Sequence, residues 1–436
     1  MFLQLLNHTL TLWFVFPTII ALGLYLTVQF KCTQVTQLKN AVLHLFKRNK
    51  GDAGSISRFG ALSSVLAGNF GTGNISGMAI AIATGGPGAL VWMWIMSFFG
   101  AIIQYASCIL GVLYRKETAK KEFVGGPMYY LRDGLGYHKL AKLFAVCTIF
   151  GAFAVGNLAQ INSMTLPFTN FGINPLYVSL AIGLFVAVVM LGGIKRLSQF
   201  ASFIVPFKAL LYLGTGFTII FFYRSSLIPA IHLMFEEAFR FSSFTGGVLG
   251  ISVFKAIQTG FDRGLFATDA GTGIVPILQA GARSKNPLHD GVATLLSPLM
   301  VMVVCTTTGL VLIMTGAYQT DLQSTNMVTY AFTKGLSSPI GGYIVLLALM
   351  LFAYTTILAW GHCGAKATEF LFGSRFEKYF QALFILFIPI GALLKVGFIW
   401  TLADVAISLM LILNLVGIIG LLGKVKETHF SPAHQS

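Results

Sequence analysis

The sequence predicts an all-α integral membrane protein of about eleven transmembrane helices, and three observations carry that prediction. Mean hydropathy is +0.80, only 10% of the residues are charged, and long apolar runs recur from one end of the chain to the other. A soluble domain carries about 25% charged residues, so a surface this poor in charge is solvated by lipid rather than by water. The net charge of +15 does not point to nucleic acid, which calls for a hydrated basic face with interleaved aromatics. Lys and Arg stand instead in short segments between apolar runs, where topology signals are found.

A helix crosses the hydrocarbon core with about 20 residues, since each rises about 1.5 Å across a layer about 30 Å thick. Eleven segments qualify: 11–30, 61–84, 89–114, 143–167, 176–193, 198–223, 244–281, 291–318, 340–365, 379–397 and 399–423. The fifth is short, and the seventh is long enough to be interrupted. Runs such as Ala89 to Tyr114 do not alternate apolar and polar residues, which excludes a β-barrel, whereas helices satisfy their backbone groups internally in lipid. Loops after the odd-numbered segments, with the C-terminal tail, hold 22 of the 29 Lys and Arg residues. Basic loops stay cytoplasmic, so the N-terminus is expected outside and the C-terminus inside. The first thirty residues lack Lys and Arg, so the first apolar run is expected to be a retained helix rather than a signal peptide. Segments 226–242 and 322–336 are expected to be surface helices on the outer side.

The five cysteines (Cys32, Cys108, Cys147, Cys305 and Cys363) show no metal-ligand spacing and are expected to be small buried residues. Catalysis has no support either: His-Glu-x-x-His and Gly-x-Ser-x-Gly are absent, and the eight histidines form no cluster in the sequence.

The second segment contains Ala67-Gly68-Asn69-Phe70-Gly71-Thr72-Gly73-Asn74-Ile75-Ser76-Gly77, with four glycines in eleven residues. Glycine weakens a helix by about 1 kcal/mol relative to Ala, so this stretch is expected to unwind. Close packing of small residues is the plainer alternative, but Asn69, Thr72 and Asn74 add polar groups that packing does not need. The seventh segment repeats the pattern from Gln258 to Gly273 and adds Asp262, Arg263 and Asp269. Charges inside a membrane segment need partners or water; Arg263 is expected either to pair with Asp262 or Asp269 or to act with them as a gate.

The two interruptions lie five segments apart, which suggests two five-helix repeats, 59–223 and 244–423, related by inversion. Residues 1–58 would then form an extra N-terminal helix and a basic loop, 224–243 an outer linker and 424–436 a cytoplasmic tail. Inverted repeats with broken first helices are a pattern of secondary transporters. An unwound turn offers amides to a carboxylate and carbonyls to a cation, which suits a zwitterionic amino acid travelling with a sodium ion.

The sequence resembles the alanine or glycine:cation symporter family, whose fold is of the leucine-transporter type. The matching blocks, in order, are Gly-Thr-Gly-Asn-Ile-Ser-Gly (71–77), Gly85-Gly86-Pro87-Gly88-Ala89 with Trp92-Met93-Trp94, Gly125-Gly126-Pro127-Met128-Tyr129-Tyr130, and Gly156-Asn157-Leu158-Ala159-Gln160-Ile161-Asn162-Ser163. Arg263-Gly264-Leu265-Phe266, Val304-Cys305-Thr306 and Phe352-Ala353-Tyr354-Thr355-Thr356 with Trp360 complete the set. The resemblance implies a site at the breaks of the second and seventh segments, closed by the fourth and ninth. Thr72, Gly73 and Asn74 would meet the substrate carboxylate, and Gln160 with Thr259 or Gly260 the amine. Thr356 and Trp360 would line the pocket, with the indole limiting side-chain size. Sodium would bind carbonyls near Ala67 and Phe70 and the hydroxyls of Thr355 and Thr356.

Sodium-coupled uptake of alanine or glycine across a bacterial inner membrane is the implied activity, with no other cofactor, no nucleic acid and no obligate protein partner. The family usually reads Ser-Asn-Glu-Ala-Gly where this chain has Ala267-Thr268-Asp269-Ala270-Gly271, a basic residue at Asp262, Asp-Thr at Met300-Val301, and Tyr-Gly-Glu near His362-Cys363-Gly364-Ala365. These departures bear on the ion and the gate more than on the substrate. Proton-coupled or exchange-mode carriage on the same fold is therefore the alternative.

Overall fold

A computed structural model describes residues 2–46, 54–118, 121–240, 250–284 and 286–431. Among them helices dominate, and the one sheet is a two-stranded hairpin pairing Lys116–Glu117 with Phe123–Val124. Seven helices are long and apolar enough to cross a membrane: α1 (Phe2–Gln29), α4 (Ala89–Leu113), α5 (His138–Thr169), α7 (Gly193–Phe222), α11 (Pro287–Met314), α13 (Ile340–Phe372) and α15 (Val396–Gly420). The remaining expected segments are short or divided. They are α2 (Arg58–Asn69) with α3 (Ser76–Gly85), α6 (Pro175–Met190), α9 (Gly250–Thr268) with α10 (Ile274–Gln279), and α14 (Phe376–Leu386) followed by a turn at Ile388–Gly391. The expected start of the seventh segment at 244–249 lies outside the described residues, as do 47–53 of the basic loop, Lys285 and the last five residues of the tail.

Local chemistry sets several of these boundaries. Ser57 caps α2 by accepting from the Gly60 amide at 3.0 Å. Asn174 and Asn286 each cap a helix whose first residue is proline, where the missing N–H costs nothing and the ring presets φ. Between spans, α8 (Leu227–Phe239) and α12 (Ser324–Gly335) occupy the segments expected to be surface helices.

The core is built around the divided helices. α9 packs along α4 and α3, while α2 packs against α7 and α13; α13 also runs along α5. Lipid-compatible side chains cover the perimeter: Phe203, Leu210, Phe221 and Phe222 on α7 and Leu184 and Phe185 on α6 are exposed. One expectation fails. Cys108, Cys305 and Cys363 are buried and Cys147 partly so, but Cys32 is exposed. It stands in the turn that ends α1, with φ +56°, where the chain leaves its helix.

Candidate functional site

Both polar, glycine-rich stretches break their helices. The first break runs from Phe70 to Ile75: Gly71 is extended (φ −94°, ψ −175°), Thr72–Asn74 make one tight turn, and α3 restarts at Ser76. The second runs from Asp269 to Gly273, with φ of +50° at Asp269, +85° at Gly271 and +92° at Gly273. Gly271 and Gly273 take a backbone form that a Cβ disfavours. Asp269 takes it at a steric cost, a kind of strain that clusters at functional sites.

Side chains replace the lost helical bonds. Asn69 Nδ2 donates to the Thr268 carbonyl at 2.6 Å and to Ser297 Oγ at 2.7 Å, which ties the two breaks together. Asn74 Nδ2 donates to the carbonyls of Asn69 (2.7 Å) and Gly71 (3.1 Å), and α11 holds the far side of that turn through Thr308 Oγ1 to the Asn74 carbonyl (2.9 Å). Asn414 Nδ2 takes the Gly271 carbonyl at 2.7 Å. In lipid every such group must be satisfied internally, so the breaks persist because these side chains are present.

Two further elements close on the first break. Gln160 Oε1 accepts from the Thr72 amide (2.9 Å) and hydroxyl (3.0 Å), while its Nε2 donates to the Val155 carbonyl (3.0 Å). Val155 lies in a widened π turn of α5, Ala152–Leu158, a feature frequent at functional sites. On α13, Thr356 Oγ1 lies 2.9 Å from the Ala67 carbonyl and 3.1 Å from that of Gly68. Gly71 lies between these two groups: a Cβ there would stand 2.9 Å from Gln160 Oε1 and 3.0 Å from Thr356 Oγ1. Trp360, one turn beyond Thr356, is fully buried and packs on Gly156 so closely that a Cβ there would collide with it.

The structure thus brings Ala67, Phe70, Thr72, Gly73, Asn74, Gln160, Thr355, Thr356 and Trp360 to one buried locus. Thr259 and Gly260 are not part of it. The second break lies about nine residues beyond them; Thr259 packs on Gly85, and a Cβ at Gly260 would meet the Ala89 carbonyl at 2.6 Å. The polar stretch begins at Gln258, but α9 stays wound to Thr268 because its early part packs along α4.

The charged groups are also arranged differently from expectation. Arg263 pairs with Asp404 on α15, not with Asp262 or Asp269, and its guanidinium lies 4.6 Å from the Trp400 ring centre. Asp262 instead accepts from Asn7 Nδ2 (2.9 Å) and Thr11 Oγ1 (2.6 Å) of α1. A cavity of about 430 Å³ opens at this end, lined in part by Asn7, Thr259, Asp262, Arg263, Trp400 and Asp404. Trp400 and Phe266 lie with ring centres 4.5 Å apart, and the Phe266 ring would be 2.5 Å from a Cβ on Gly73. The cavity is therefore separated from the first break by the stack of Arg263, Trp400 and Phe266. At the other end of α13, Lys366 holds Glu122, Glu369 and Glu377 at 3.0–3.1 Å.

Lys208 is the residue that sequence reasoning passes over. In the sequence it counts only as a basic residue inside a helix, although the cost of charge in a membrane segment applies to it as it does to Asp262. It is fully buried, and its Nζ donates to the Phe70 carbonyl (2.9 Å) and to Thr355 Oγ1.

The geometry agrees with comparisons to known proteins. The model of the sodium:alanine symporter family matches residues 1–431. An uncharacterized transporter of Haemophilus influenzae is 40% identical over 92% of this chain and 88% of its own length. The sodium/alanine symporter AgcS of Methanococcus maripaludis is 37% identical over 92% of this chain and 90% of its own. Among solved structures, that of MhsT in complex with L-phenylalanine superposes with a TM-score of 0.63, covering 88% of this chain and 95% of that one at 12% identity, which is a likeness of fold. An all-helical membrane fold with two divided helices, matched by a family model over nearly its whole length, places the chain in the sodium:alanine symporter family.

Proposed function

We propose that this chain takes up a small neutral amino acid, alanine or glycine, by alternating access across a bacterial inner membrane, driven by sodium. The observation that carries the proposal is the convergence of two broken helices, Gln160 and Thr356 on one buried locus. The amides and hydroxyl of the Thr72–Asn74 turn offer donors to a carboxylate, and Gln160 Oε1, which now accepts from Thr72, offers an acceptor to the amine. The collision of Trp360 with any Cβ at Gly156 leaves little room to enlarge the pocket, consistent with a small side chain. Residues 59–223 and 244–423 act as two halves, each beginning with its divided helix, with the N-terminus outside. Thr259, on the cavity wall, belongs to the approach path, while the Arg263, Trp400 and Phe266 stack is the barrier that opens.

Radiolabelled alanine uptake into proteoliposomes tests this reading. An inward sodium gradient is expected to drive accumulation above equilibrium, and equal uptake with choline in place of sodium would remove sodium from the account. One observation favours the second reading, carriage coupled to protons or run as exchange: two of the four expected sodium ligands, the Phe70 carbonyl and Thr355 hydroxyl, already hold the Lys208 ammonium. Uptake that persists without sodium and collapses with the proton gradient would establish it.

A further inference from the structure

The surroundings of Lys208 are those of a cation site. The Phe70 carbonyl is freed by the end of α2, whose C-terminal partial negative charge favours a cation. Thr355 directs its own hydroxyl proton toward the Leu351 carbonyl at 3.0 Å, which leaves a lone pair for the ammonium. The Phe352 and Phe70 rings lie with centres 4.7 and 5.7 Å from Nζ and present their electron-rich faces. Among the described residues no carboxylate pairs with Lys208; its two hydrogen-bond acceptors are a carbonyl and a hydroxyl. A buried charge normally requires an opposite charge, or the oxygen and ring dipoles that hold a small ion. Here the dipoles do it alone.

We propose that the Lys208 ammonium is the resident cation of this position. It is a positive charge carried on α7 that fills the place of one free ion between the first break and α13. It joins three elements, α7 through its own backbone, the end of α2 through Phe70, and α13 through Thr355. The break and α13 are thereby drawn together without an ion having to enter from solution. The number of free cations coupled to each amino acid is then lower by one than the oxygen set alone would take. This inference rests on the reading of the chain as an amino-acid transporter, with either coupling ion.

The test is alanine uptake by proteoliposomes of wild type, K208A, K208R and K208M, titrated with sodium against choline. Thermal unfolding of the same samples in the two salts is the second measurement. K208A empties the position while leaving the oxygens, so its uptake is expected to fall about tenfold or more at low sodium and to recover at high sodium. Its dependence on sodium should steepen by about one ion relative to wild type. K208A should also show a sodium-specific rise in Tm larger than that of wild type, a result readable even if its transport is poor. K208R keeps a charge at the position and should keep the wild-type sodium slope, whereas K208M, of similar length and neutral, should be impaired in both salts. K208A with wild-type sodium dependence in both uptake and melting overturns the proposal. So does K208R steepening as K208A does, because lost shape rather than lost charge would then be the cause. So does a K208A protein that folds in neither salt while K208M folds and transports normally. Absence of alanine uptake by wild type in every condition would instead count against the transporter reading.

Discussion

Thr356 shows how much one hydroxyl can hold at a helix break. Its Oγ1 serves the Ala67 and Gly68 carbonyls, and both belong to the last turn of α2, where no following turn supplies N–H donors. Thr356→Val keeps the shape and removes the hydroxyl, leaving buried acceptors unsatisfied at a cost of about 1–3 kcal/mol. The expected outcome is a Tm lower by several degrees and alanine uptake reduced at least about tenfold, read by thermal unfolding and by proteoliposome assay. Thr356→Ser keeps the hydroxyl and should retain most of both; a valine variant as active as wild type would separate this residue from the site. Gly156 makes a steric prediction of the same kind. A methyl there collides with Trp360, so Gly156→Ala should destabilise by about 1–3 kcal/mol through overpacking, with a lower Tm as the measurement.

At the level of elements, the pairing of α9 with α15 by Arg263 and Asp404 decides what separates the cavity from the site. Both side chains are buried, so removing one leaves the other uncompensated, typically at about 3–5 kcal/mol. Arg263→Met and Asp404→Asn are each expected to lower Tm and uptake sharply. The double variant Arg263→Met with Asp404→Leu should melt closer to wild type than either single variant, because a neutral pair leaves no orphan charge. Its uptake should stay low if the pair also gates access. A double variant no more stable than the singles would show that the two groups do not act as a pair. The breaks themselves are a cooperative feature: Asn69 and Asn414 replace the helical bonds of both, so neither break is supported by glycine alone.

For the whole molecule, the distribution of basic residues gives a topology that the fold does not report. Cys32 is exposed at the end of α1, beside Lys31. In a variant with the other four cysteines replaced by alanine or serine, a membrane-impermeant maleimide is expected to label Cys32 in inverted vesicles and not in right-side-out ones. Labelling with the opposite polarity would invert the proposed orientation.

Much of this architecture is legible in the sequence because lipid imposes a simple demand. Each crossing needs about 20 apolar residues wound so that every backbone group is paired, and a departure from that rule stands out as clustered glycines and amides. The break at Phe70–Ile75 and the closing residues Gln160 and Thr356 follow from that signal together with the family blocks. The position of the second break does not: glycine and polar residues begin at Gln258, yet packing along α4 keeps the helix wound for ten residues more. Composition cannot weigh that packing against local propensity.

Membership of the lipid phase, the two interrupted apolar segments and the family are legible from the sequence alone, because hydropathy and short motifs are local quantities. The partners come from the three-dimensional fold: Asp404 for Arg263, α1 for Asp262, and the Phe70 carbonyl and Thr355 hydroxyl for Lys208. These contacts join residues more than a hundred positions apart, and charge selects its partner by distance in space, which no stretch of sequence records.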